Sequence, residues 1–110
     1  MMKLGLSPAA ASLLRAIIAR AGTDRDRILL SDFRSVDWQS LTFIGERHEI
    51  ELRITGPEPS IIASYLMDGL QDAELSVPGQ IVADVGIQTT PTHNPDGSIT
   101  LKLEALTVTE

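Results

Sequence analysis

His48-Glu49-Ile50-Glu51-Leu52-Arg53-Ile54-Thr55 alternates polar and apolar residues without a fault. Successive side chains of a strand point to opposite faces, so Ile50, Leu52 and Ile54 fall on one side and Glu49, Glu51, Arg53 and Thr55 on the other. This predicts a strand with one dry face and one wet face. It forms the second half of a hairpin read over residues 36–55, which also carries Trp38, Phe43 and His48. In the first half the apolar parity changes, with Val36 and Trp38 at even positions and Leu41 and Phe43 at odd ones. A β-bulge near Gln39-Ser40 would restore one face and bury Trp38. Gly45-Glu46-Arg47 is then the turn.

Ahead of the hairpin, Ser7-Pro8 reads as a helix start, with Ser7 capping free N–H groups and Pro8 at the first helical position. Ala10, Leu13, Leu14, Ile17, Ile18 and Ala21 follow on one stripe, and Gly22 supplies a left-handed stop. Thr23-Asp24-Arg25-Asp26-Arg27 is a charged connector. Ile28-Leu29-Leu30 is either a short edge strand or the entry to a bend at Ser31-Asp32.

Beyond the hairpin, Gly56-Pro57-Glu58-Pro59 opens a second helix, both prolines in its first turn. Its predicted buried stripe is Ile61, Ile62, Tyr65, Leu66, Gly69, Leu70 and Ala73, with Gly69 at close approach to a strand and Tyr65 in the core. Residues 81–89 and 99–109 are read as the last strands, separated by a polar loop with turn chemistry at Pro95-Asp96-Gly97. Leu106 and Val108 switch parity against Ile99, Leu101, Leu103 and Ala105, which predicts either a bulge near Ala105 or a partner over the outer face. The fold class expected is α+β, a two-layer sandwich. An antiparallel sheet of four to five strands carries two helices on one face in the order α-β-β-α-β-β, as a single domain over residues 1–110.

Composition narrows the functions. The chain has no cysteine, which excludes disulfides and thiolate metal sites. The net charge is −6. Residues 1–56 hold eight basic and seven acidic residues, a net of +1, while residues 57–110 hold Lys102 against eight acidic residues, a net of −7. Such an acidic chain repels a phosphate backbone, so no nucleic-acid partner is expected. Met67 to Glu74 echoes the helix motif of LAGLIDADG homing nucleases, but Leu75 stands where the closing glycine belongs and no basic DNA-facing strand surface accompanies it. No family is assigned on that fragment. Arg15 breaks the apolar run near the start, so no signal peptide is read there, and no stretch is long and apolar enough for a membrane span. A bacterial-type, cytoplasmic chain is expected.

His48 and His93 lack a second histidine at metal spacing, and Asp68, Asp72 and Glu74 read as a solvated edge, so neither metal nor cofactor is expected. There is no G-x-S-x-G elbow and no Gly-rich phosphate loop. The sequence therefore reads as a non-enzymatic interaction or regulatory module. It is expected to form a homodimer through sheet edges or an outer face that includes Val82, Leu106 and Val108. The alternative is a small-ligand-binding protein or minor enzyme with a pocket near Trp38, His48 and Tyr65.

Overall fold

In the computed structural model, which describes residues 6–22 and 25–110, helix α1 spans Pro8–Ala19. Ser7 caps it, its Oγ accepting the Ala10 N–H at 3.1 Å. Residues 1–5 and Thr23-Asp24 of the charged connector lie outside the described residues. Ala10, Leu13, Ile17 and Ala21 are buried, and Leu14 and Ile18 pack against the same core.

The hairpin is longer than its sequence reading. Strand β1 runs Ile28–Gln39 and β2 runs Ile44–Ile54, so Ile28-Leu29-Leu30 is the start of β1. The turn lies at Ser40–Phe43 rather than at Gly45-Glu46-Arg47. The Ser40 N–H donates to the Phe43 carbonyl at 2.9 Å, and Ser40 Oγ accepts the Phe43 N–H at 3.1 Å. A serine hydroxyl folding back on the backbone makes this turn without glycine or proline. Pairing is regular from Asp32 to Gln39, and the extra residue is Ser31. The bulge expected near Gln39-Ser40 is absent, and Trp38 is half-buried on the outer face instead of joining Phe43 in one core.

Helix α2 is Pro59–Met67. Glu58 enters it in a left-handed conformation, φ 51°. It ends at Asp68, Gly69 takes φ +68°, and a 3₁₀ turn at Leu70–Asp72 buries Leu70. The expected close approach at Gly69 does not occur, because an added Cβ would meet nothing within 4 Å. The stripe is also rotated from its reading: Ile62, Ala63 and Leu66 are buried, while Ile61 and Tyr65 are exposed. Strands β3 (Gln80–Ile87), β4 (Thr92–His93) and β5 (Ile99–Thr109) complete an antiparallel sheet of order β1-β2-β5-β3, with β4 also paired to β5.

Strand β5 pairs with β2 without interruption from Ile54↔Ile99 to Gly45↔Val108, so no bulge lies near Ala105. The second register shift falls in edge strand β3, where Ala83 is the extra residue. Both helices cover one face. Leu13 and Ile17 of α1 and Ile62 and Leu66 of α2 pack with Ile50, Leu52, Ile54, Leu101, Leu103 and Val85. Each such fully buried Leu or Ile contributes about 1.5–3 kcal/mol of apolar transfer.

Candidate functional site

Register places every hairpin residue on a definite face, and two sites emerge from it. On the helix side, Ser35 lies opposite His48, which lies opposite Ala105. The His48 imidazole is 1% exposed. Its Nδ1 is 2.8 Å from Ser35 Oγ and its Nε2 is 2.9 Å from Thr107 Oγ1. The ring thus ties β1, β2 and β5 together. A hydroxyl both donates and accepts, so the neutral imidazole finds a partner at both nitrogens. Burial pushes the His48 pKa below the ordinary histidine value, and the nearby Glu46 carboxylate opposes the shift. Glu46 Oε1 in turn accepts the Ser7 hydroxyl at 2.9 Å, which fastens the N-terminus of α1 to the hairpin. Ser35 beside His48 has the look of a nucleophile and base, but among the described residues no carboxylate hydrogen-bonds the ring, and an imidazole sealed in this way cannot reach a substrate.

The second site is the outer face. Its middle is ionic, with Arg34 paired to Glu49 at 3.4 Å and Lys102 to Glu51 at 3.9 Å. Toward β4, Arg53 pairs with Asp96. The Asp96 carboxyl is held below the usual range by the Ser98 hydroxyl and N–H, with a further contribution from Arg53. Toward the hairpin tip the face turns apolar. One cross-strand row reads Trp38, Gly45, Val108, Ile81, and the next reads Val36, Arg47, Leu106, Asp84. Gly45 gives that end its shape. A Cβ there would sit 1.9 Å from the Thr107 carbonyl oxygen, so β2 and β5 approach at a distance only glycine permits. The missing side chain also opens the row beside Trp38. Trp38 is the large side chain in register next to that gap, and Val108 beyond it is only 7% exposed. Past the row, Leu41 is fully exposed, Phe43 is 50% exposed and Ile44 is 68% exposed.

No protein-family model and no curated protein matches this chain. A chain of a solved structure does. It belongs to the virion of a native gene transfer agent (GTA) particle, superposes with a TM-score of 0.67 over 91% of this chain and 97% of its own length, and shares 13% sequence identity. At that identity the likeness shows a common fold.

Of the residues singled out from sequence, Trp38, His48 and Tyr65 do not converge. Trp38 is on the outer face, His48 on the inner face, and Tyr65 on the solvent side of α2. The cavities that Tyr65 lines include neither of the others. Val82 lies opposite Thr107 on the helix side and packs against the core, so it is not an outer-face residue. Val108 is outward but already covered within the chain, and Leu106 is half-buried beside Arg47. Among the described residues no group of three or more His, Cys, Asp or Glu side chains is placed to hold a metal ion. No described helix is long and apolar enough to cross a membrane. Sequence reading missed the exposed tip because it counted Leu41 and Phe43 as core. It missed Gly45 because glycine signals a turn more often than a close strand contact.

Proposed function

We propose that this chain is a non-enzymatic structural subunit that packs against copies of itself, in an assembly of the virion-particle kind. The observation that carries the proposal is the exposed apolar turn of the hairpin: Leu41, Phe43 and Ile44 are all well exposed, and Val36 and Ile81 are exposed on the outer face of the same end. A domain of 110 residues gains nothing in its own fold from leaving five large apolar side chains in water at one end. Sealed polar groups support the same reading. His48 and Thr107 are consumed by structural hydrogen bonds, and Arg34, Glu49, Glu51 and Lys102 on the outer face by ion pairs with one another. The fold shared with a virion chain agrees with such a role. Simple edge-to-edge sheet growth is disfavoured, since the two long edge strands each carry a bulge, at Ser31 in β1 and at Ala83 in β3, and β4 is only two residues long. The test is sedimentation velocity on the wild type and on a Phe43→Asp, Ile44→Asp double variant. The wild type sediments as an oligomer and the variant as a folded monomer; equal sedimentation of the two would remove the hairpin end from the interface.

A further inference from the structure

We infer that Asp68–Gly69 is a site of spontaneous isomerisation to isoaspartate, and that the chain's other Asp-Gly bond, Asp96–Gly97, is protected from the same reaction by Ser98 and Arg53. The sequence holds these two Asp-Gly pairs and no Asn-Gly. Neither belongs to the hairpin tip, so the chemistry stands whether or not the chain self-associates.

The reaction needs water alone. The amide nitrogen that follows an aspartate attacks the side-chain Cγ. An N–Cγ bond forms, a Cγ–O bond breaks, and that oxygen leaves as water with the carboxyl proton and the amide proton. Water then opens the five-membered imide. Opening at Cγ restores the aspartate, and opening at the main-chain carbonyl routes the backbone through the side chain. Glycine favours the attack, because no Cβ crowds its nitrogen. The carboxyl must be neutral, since a carboxylate has no proton to carry its oxygen away. The neutral share falls about tenfold for each unit by which pH exceeds the carboxyl pKa.

Both turns demand their glycine, at φ +68° for Gly69 and +91° for Gly97. The surroundings of the two carboxyls differ. Asp96 Oδ1 accepts the Ser98 N–H at 2.9 Å and the Ser98 hydroxyl at 2.6 Å, and Oδ2 faces the Arg53 guanidinium. The buried Ser98 hydroxyl accepts from Arg53 Nε and from Asn94 Nδ2, each at 3.0 Å, so its single proton points at Asp96. Both carboxylate oxygens thus meet donors, which favours the ionised form over the neutral one. The same contacts, Ser98 first and Arg53 after, hold this carboxyl below its usual range. The attacking nitrogen is engaged too, because the Gly97 N–H donates to the Asn94 carbonyl at 3.0 Å.

Asp68 has no such clamp. It is exposed at the end of α2, and among the described residues its carboxylate makes neither a hydrogen bond nor an ion pair. Arg20 holds its main-chain carbonyl and leaves the side chain to turn toward the Gly69 nitrogen. An extra backbone atom there would come between α2 and the 3₁₀ turn that buries Leu70.

The wild-type chain is kept folded at mildly acidic pH, and peptide mass spectrometry follows isoaspartate at each bond. Asp68 is expected to convert at least several-fold faster than Asp96, and the two rates to draw together in urea. Ser98→Ala and Arg53→Gln are each expected to speed conversion at Asp96 and leave Asp68 unchanged. Asp68 in the same sample reports any general loosening of the fold, so variants that speed both bonds equally, or neither, overturn the clamp. Equal rates at the two bonds in the folded wild type, or no isoaspartate at Asp68 while the unfolded chain forms it there, would overturn the inference.

Discussion

Gly45→Ala concentrates the structural argument in one methyl group. The new Cβ would lie 1.9 Å from Thr107 O and 2.9 Å from both Thr107 C and Val108 Cα, where ordinary contacts are 3.4–4 Å. These are backbone atoms of the neighbouring central strand, so no side-chain rotation relieves the clash, and β2 and β5 must part. Over-packing of this kind costs about 1–3 kcal/mol. The upper end is expected, because parting these strands also stretches the His48–Thr107 hydrogen bond and the Trp38 row. For a domain of this size each kcal/mol lowers the melting temperature by about 4 °C, so a fall of about 12 °C is expected in circular-dichroism melts. Gly69→Ala is the matched control. It has open space around its Cβ but a left-handed backbone, φ +68°, which costs a side chain about 1–2 kcal/mol, or about 4–8 °C. Gly45→Ala melting at or above Gly69→Ala would refute the close-approach reasoning.

Three further outcomes follow from the same geometry. The folded-state pKa of His48 is depressed by burial, so the unfolded chain binds its proton first as pH falls below about 6.5; stability is full above that pH and declines below it with a slope of at most about 1.4 kcal/mol per pH unit. Urea unfolding between pH 7.5 and 5 should show this decline in the wild type and a flatter profile in His48→Gln. Val108→Asp should lower the melting temperature by more than about 12 °C even in dilute solution, because the carboxylate would be buried inside each chain and cost about 3 kcal/mol or more; a folded, merely dissociated variant would show that Val108 belongs to an interface. Duplex DNA should not bind at physiological salt in fluorescence anisotropy, since Lys102 is the lone basic residue after Gly56; salt-sensitive micromolar binding would contradict this.

The layers of the fold were legible wherever one local signal had one structural meaning. Ser7-Pro8 before an apolar stripe could hardly be anything but a capped helix start, and the alternation of residues 48–54 and 99–105 fixed the inner face of two central strands. Reading failed where a signal had two meanings. The parity switch at Val36 and Trp38 suits a bulge in sequence, but it records an outer face that is itself apolar at that end. The switch at Leu106 and Val108 has the same cause. The real bulges, at Ser31 and Ala83, lie in edge strands whose exposed sequence gives no parity to break. The α2 stripe is apolar over too wide an arc to name its buried side: Ile62, Ala63 and Leu66 meet the core, which leaves Ile61 and Tyr65 outward and Tyr65 far from Trp38 and His48. As for function, exposed apolar residues in a short turn look in sequence like core residues, and only the three-dimensional arrangement shows that none of the described residues covers them.

The central claim is that the apolar hairpin end is made to be covered by another copy. Multi-angle light scattering on the wild-type chain, from low to high micromolar concentration, tests it most directly. The account predicts a mass that rises to a multiple of the 11.9 kDa chain as concentration increases. A mass that stays at 11.9 kDa throughout would contradict it.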